Sequence, residues 1–137
     1  MLIPKYRKYK KAHKGHLPQG VSIRCNKISF GNFALKSIEP GKITSAQIES
    51  ARKVIVRKTK KVGKLWIRLF PDIPVSKKPA EVRMGKGKGA VEYWIAKIKA
   101  GRVLFELDGI NKIKAFDILT TAASKLPVRT KIISKLS

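Results

Sequence analysis

The stretch Val91-Glu92-Tyr93-Trp94-Ile95-Ala96-Lys97-Ile98-Lys99-Ala100-Gly101-Arg102-Val103-Leu104-Phe105-Glu106-Leu107 decides the fold class. Both of its halves are rich in β-branched and aromatic residues, which fit a pleated, partly buried surface. Ala100-Gly101 joins them, so the two runs are expected to form an antiparallel hairpin. Outward from this pair, Leu65-Trp66-Ile67-Arg68-Leu69-Phe70 reads as another short apolar strand, buried on at least one face. Trp66 and Trp94 lie inside apolar strands and are expected to anchor the core. Ile28 to Ile38 is strand-like with a bend at Gly31-Asn32, and Val128 to Ile133 reads as a last strand.

Two helices interrupt the strands. After a turn at Pro40-Gly41, Thr44 has the position of a helix N-cap, and Gln47 three residues on completes a capping box. This helix is expected to reach about Val62 and stop at Gly63, with Ile48, Ala51, Ile55 and Val62 on its inner face. Asn111 opens a second helix that Pro127 ends, with Ile113, Phe116, Leu119, Ala123 and Leu126 inward. Strands and helices mix without regular βαβ alternation or internal repeats. The expected class is therefore α+β, a mostly antiparallel sheet with two helices packed on it, a basic N-terminal arm and a long Gly/Lys-rich loop. A chain of 137 residues supports one such domain. Residues 1–18 read as the arm, and 19–137 as the domain with a protruding loop at 71–90.

Charge narrows the function. The chain carries 32 Lys and Arg against 8 Asp and Glu, a formal net charge of +24. An excess this large repels itself in a compact state, so it calls for a polyanionic partner, most simply nucleic acid. A membrane surface is the rival, but no apolar run reaches the roughly 18 to 20 residues of a spanning helix. The single cysteine, Cys25, excludes an internal disulfide and fits a reducing interior. No serine–histidine or cysteine–histidine grouping suggests catalysis, so no enzyme activity and no cofactor are expected.

Three segments concentrate the cations. Seven of the ten residues from Lys5 to Lys14 are basic (Lys5, Arg7, Lys8, Lys10, Lys11, His13 and Lys14), interleaved with Tyr6 and Tyr9, which can stack on bases. His13, His16 and Cys25 lack the paired spacing of a zinc site, so no metal is expected. On the first helix, Arg52, Lys53, Arg57, Lys60 and Lys61 lie mostly off the apolar face, with Glu49 the only acid among them. A face so uniformly cationic suits phosphate.

The third segment runs from Phe70 to Ala90, broken by Pro71, Pro74 and Pro79. It contains Lys77-Lys78 and ends in Arg83-Met84-Gly85-Lys86-Gly87-Lys88-Gly89. Connections this long without secondary structure are uncommon. Glycine lets another molecule approach the backbone, and each lysine adds a cation with three donors. Gly85-x-Gly87-x-x-Ala90 matches a relaxed dinucleotide fingerprint, but no strand precedes it and a strand rather than a helix follows. Gly89 after Lys88 excludes a Walker loop. Two readings stand level: a solvated tip kept soluble by lysine, and a loop that contacts nucleic acid.

The residues also carry a family resemblance. Met1-Leu2-Ile3-Pro4-Lys5, Ala12-His13-Lys14-Gly15, Phe30-Gly31, Thr44-x-x-Gln47-Ile48-Glu49-x-Ala51-Arg52, Lys64-Leu65-Trp66-Ile67-Arg68 and Phe70-Pro71-Asp72-x-Pro74 resemble the bacterial-type large-subunit ribosomal proteins of the L-sixteen family. So do Lys78-Pro79-Ala80-Glu81-Val82-Arg83-Met84-Gly85-Lys86-Gly87-Lys88-Gly89 and Lys125-Leu126-Pro127-Val128-Arg129-Thr130. The likeness runs in order along nearly the whole chain.

The resemblance implies a structural constituent of the large subunit. It would bind large-subunit rRNA beside neighbouring ribosomal proteins, with the arm and glycine loop reaching toward aminoacyl-site tRNA and the peptidyl transferase centre. Where many relatives use arginine, this chain uses lysine, which trades bidentate contacts for point charges. A start without a transit extension suits a bacterial or organelle-encoded protein. Phe70 to Gly89 most resembles alphaproteobacterial and mitochondrial members, so a mitochondrion is expected, with plastid stroma or bacterial cytoplasm as alternatives. The competing function is a free-standing basic nucleic-acid-binding protein, which would not sediment with large subunits.

Overall fold

A computed structural model describes residues 2–6, 17–76 and 91–135. The described elements run β1 (Phe33–Ser37), β2 (Gly41–Thr44), α1 (Ser45–Thr59), β3 (Lys64–Ile67), β4 (Ile73–Ser76), β5 (Val91–Ile98), β6 (Val103–Asp108), α2 (Lys112–Ala123) and β7 (Thr130–Ser134). The strands form two sheets rather than one. β3-β6-β1-β7 make a four-stranded sheet and β2-β5-β4 a three-stranded one, and every ladder is antiparallel. The α+β class holds.

The hairpin expected at Ala100-Gly101 does not form. β5 has both of its edges occupied, by β2 and β4, and β6 has both of its edges occupied, by β3 and β1. Neither strand therefore has an edge left for the other. The connection is where the chain changes sheet. Gly101, at φ +90°, donates its N–H to Ser37 O at 2.7 Å, and Ser37 N–H returns a bond to Arg102 O at 2.8 Å. The segment expected to be an uninterrupted loop from Phe70 contains β4. Pro74 sits in that strand without cost to the ladder, because β4 is an edge strand.

Thr44 caps α1 as expected: Gln47 N–H donates to its hydroxyl at 3.1 Å, and Thr44 N–H donates to the Gln47 side chain at 2.9 Å. The helix ends earlier than expected, at Thr59. Lys60 and Lys61 turn the chain at φ +53° and +67°, so Val62 lies beyond the helix and is exposed. Asn111 caps α2, which ends at Ala123 rather than Leu126. Its inner face is Ala115, Ile118, Leu119 and Ala122. Ile113, expected inward, is 86% exposed, because the apolar stripe sits one position off the one chosen.

The helices pack on each other, α2 over β1 and β7 and α1 beside β2 and β5. Their apolar faces meet Leu35, Phe105 and Leu107 of the larger sheet and Ile43, Ala96 and Ile98 of the smaller one. Strand alternation sorts the larger sheet. Leu65, Ile67, Phe105 and Leu107 join the helix-facing core. Trp66 and Glu106, paired across β3 and β6, point the other way. Trp66 is therefore half-buried and outside the core, as is Trp94 of β5, contrary to expectation.

Candidate nucleic-acid interface

Among the described residues, Glu49, Glu106 and Asp117 are each paired with a cation, while Asp72, Glu92 and Asp117 lie exposed. Glu106 is fully buried on the side of the larger sheet away from the helices. Its Oε1 accepts three consecutive backbone N–H bonds, from Ser29 at 2.9 Å, Phe30 at 2.8 Å and Gly31 at 3.0 Å. Its Oε2 accepts from Arg68 Nη1 at 2.5 Å. Burial pushes this carboxyl up, but the Gly31 and Phe30 amides, the Arg68 guanidinium and the Ser29 amide together outweigh it and hold the group below its usual value. Only glycine fits at position 31, where an added Cβ would lie 2.8 Å from Leu107 O. Asp108 accepts from the Asn32 side chain at 2.7 Å, and Glu39 from Arg129 N–H at 2.9 Å.

Helix α1 carries the cationic face. Lys53, Arg57, Lys60 and Lys61 are exposed, the first two on the helix and the last two where it unwinds. Arg52 is held by Glu49 through two contacts, Nε to Oε2 at 3.1 Å and Nη2 to Oε1 at 2.5 Å. That hydrogen bond lowers the Glu49 carboxyl and raises the guanidinium. Arg52 is thus the least available of the five expected phosphate contacts on this face. Lys58 instead reaches across to α2, where it meets Asp117 at 3.3 Å and the Thr121 hydroxyl at 2.8 Å.

Lys5 is exposed, as is the ring of Tyr6. Arg7, Lys8, Lys10, Lys11, His13 and Lys14 of the arm lie outside the described residues. So do Lys77, Lys78 and the whole of Arg83-Met84-Gly85-Lys86-Gly87-Lys88-Gly89. The ends of that loop are fixed, because β4 and β5 pair with each other through Ser76↔Val91.

A grouping that sequence reasoning did not assemble lies on the outer face of the larger sheet. Lys64 Nζ sits 5.3 Å from the Trp66 ring centroid, Trp66 stacks on Phe30 at 5.9 Å and 19°, and Arg68 lies 4.7 Å over Phe30. Its signal in the sequence is the alternation Lys64-x-Trp66-x-Arg68 along β3 and the residue that follows it. A cavity of about 420 Å³ against the start of α1 is lined by Ile3, Tyr93, Trp94 and Glu92 among others, and it holds no catalytic grouping. Among the described residues, no three His, Cys, Asp or Glu side chains are placed to hold a metal, and no helix is long and apolar enough to cross a membrane.

An antiparallel α+β body whose Glu49, Glu106 and Asp117 are paired with cations and whose exterior is rich in lysine suits a polyanionic partner. Comparison with known proteins makes this specific. The family model described as Ribosomal protein L16p/L10e matches residues 4–133. The chain is similar to the large ribosomal subunit protein uL16 of Rhodopseudomonas palustris, with 51% identity over 137 residues, 100% of this chain and 99% of the relative. It is also similar to that of Acidiphilium cryptum, with 52% identity over 136 residues, 99% of this chain and 98% of the relative. A third, from Xanthobacter autotrophicus, is 50% identical over all 137 residues and 99% of the relative. The chain belongs to the ribosomal protein L16p/L10e family, a family of structural proteins rather than enzymes.

Proposed function

We propose that this chain binds large-subunit rRNA through its arm, the cationic face of α1 and Lys77-Lys78, and that its loop Arg83–Gly89 serves tRNA placement near the peptidyl transferase centre. As a member of its family it is a structural constituent of the large ribosomal subunit. The observation that carries the rRNA part is the sorting of charge. Glu49, Glu106 and Asp117 are held by Arg52, Arg68 and Lys58, while Lys53, Arg57, Lys60 and Lys61 are exposed together. Each phosphate that such cations neutralise adds roughly 0.7 to 0.9 to the slope of log affinity against log salt.

The loop reading rests on composition and reach. Arg83, Lys86 and Lys88 supply charge, and Gly85, Gly87 and Gly89 allow backbone amides to approach a phosphate. Residues 77–90 between paired strand ends give 14 residues, enough chain to leave the domain at about 3.3 Å per residue. The compartment we assign is a mitochondrial ribosome, because Phe70 to Gly89 most resembles mitochondrial and alphaproteobacterial members. The relatives above are bacterial, so a plastid or a bacterium is the competing assignment.

The test is to assemble large subunits with Arg83, Lys86 and Lys88 all replaced by alanine. The expected result is stoichiometric incorporation with weakened aminoacyl-tRNA binding or slower peptidyl transfer. Normal rates with full incorporation would return the loop to a solvated tip, and failed incorporation would make it an rRNA anchor. A wild-type chain that does not sediment with large subunits would favour a free-standing nucleic-acid-binding protein.

A further inference from the structure

We propose that Lys64, Trp66 and Phe30 form a stacking platform for an unpaired nucleobase of large-subunit rRNA. The proposal rests on the rRNA-binding reading above and adds to it a site that recognises a base rather than a phosphate. Three observations carry it. First, the rings are stacked at the surface, with a cation over each of them. Phe30 stays 56% exposed with Trp66 at 5.9 Å and Arg68 at 4.7 Å, and Trp66 is only half-buried.

Second, the platform is rigid. The Phe30 backbone is tied between its neighbours by the three N–H bonds to Glu106 Oε1, and the same carboxylate holds Arg68. Trp66 is fixed in the β3–β6 ladder opposite Glu106. A base that stacks here orders little that is not already ordered, which lowers the entropic cost of binding. Third, the charge is right for RNA. The acid beneath the rings is fully buried and neutralised by Arg68, so the cation the surface presents is Lys64. Base–aromatic stacking beside cations is the usual mode for unpaired RNA and tolerates any base. The Lys64 ammonium over Trp66 occupies a position that a base can take while the lysine turns to the adjacent phosphate, since its flexible stem and three donors permit the move. Near-parallel rings match a planar base better than they match an acidic peptide.

The test uses the full chain, large-subunit rRNA and two single-tryptophan proteins, Trp94→Phe and Trp66→Phe. On binding, emission from Trp66 in the Trp94→Phe protein should be strongly quenched, and emission from Trp94 in the Trp66→Phe protein much less so. Phe30→Leu keeps the apolar volume without the π face. It should weaken binding roughly 5- to 20-fold with an unchanged salt slope, and Phe30→Tyr should restore it. If rRNA binds but Trp66 emission is unchanged and Phe30→Leu binds like wild type, the platform is wrong and the rRNA reading stands. If Phe30→Leu does not fold, the quenching result alone decides. No binding of rRNA by the folded wild-type chain would overturn both.

Discussion

Replacing Glu106 by glutamine removes one charge from the interior and keeps the side-chain shape. The carboxylate now accepts four bonds, three from the amides of Ser29, Phe30 and Gly31 at 2.8 to 3.0 Å and one from Arg68 at 2.5 Å. A glutamine has only one acceptor oxygen. If that oxygen faces the three amides, the side-chain NH₂ meets the Arg68 guanidinium, donor against donor. If the amide is flipped, three backbone N–H groups lose their acceptor instead. Breaking a buried pair by removing one partner costs about 3 to 5 kcal/mol. The Arg68 side chain keeps 19% of its surface exposed, so water recovers part of its loss, and the expected cost lies near the lower end, about 3 kcal/mol. Against a typical domain stability of roughly 5 to 15 kcal/mol, that is a large fraction.

Urea unfolding of the full chain, in buffer with enough salt to screen its charge, measures the cost directly. Adding Arg68→Met to Glu106→Gln removes the orphaned cation. The double variant should therefore be at least about 1 kcal/mol more stable than the sum of the single losses predicts. A loss below about 1 kcal/mol for Glu106→Gln, together with an additive cycle, would refute the view that this carboxylate organises the Ser29–Gly31 segment.

Acid should act through the same group. The Glu106 carboxyl lies below its usual value when folded, so its stabilisation is complete above the unfolded value and is lost as pH falls through the folded one. The urea midpoint of wild type should therefore drop from about pH 5 downward more than that of Glu106→Gln. Thr44→Ala removes the capping box and should cost about 1 kcal/mol, read from the same unfolding curves. Gly63→Ala should cost roughly 1 to 3 kcal/mol, because φ is +87° there and the new Cβ would meet Asp108 O at 2.6 Å; wild-type stability would mean the backbone relaxes freely. Trp66→Ala should cost about 2 kcal/mol rather than the 3 to 5 of a fully buried aromatic, and a loss in the larger range would place Trp66 in the core after all.

The elements whose signals are local were legible in the sequence. Thr44 and Gln47 sit three residues apart and declare the start of α1 by themselves, and Asn111 does the same for α2. Pairing was less legible. Val91–Ile98 and Val103–Asp108 are both strands, but which strand each one pairs with depends on which edges are free, and that is a property of the whole sheet. The link Lys99–Arg102 has no Asn-Gly or Asp-Gly turn to force a tight hairpin, and it bonds to Ser37 of β1 and to Ser22. Burial failed for a related reason. Leu65-Trp66-Ile67 is apolar on both faces of a strand, so both faces read as core. Only the Leu65–Ile67 face meets the helices, and Phe30 covers the other only in part.

The same distinction separates the two kinds of candidate site in this chain. The arm and the glycine loop are proposed from composition alone, because a cationic segment works by carrying charge and needs no partner elsewhere in the fold; most of both lies outside the described residues. The Lys64–Trp66–Phe30 grouping could not be read that way, because a stacking surface needs two rings held parallel. Phe30 and Trp66 are distant in sequence and meet only because Glu106, on a third segment, gathers the Ser29, Phe30 and Gly31 amides and the Arg68 guanidinium around one carboxylate. In a chain with 8 acids against 32 bases, an acid placed at the surface would weaken attraction to phosphate. An acid buried beneath the aromatic pair does the opposite. It fixes the rings and one cation in place while adding no negative charge to the outer face of the sheet.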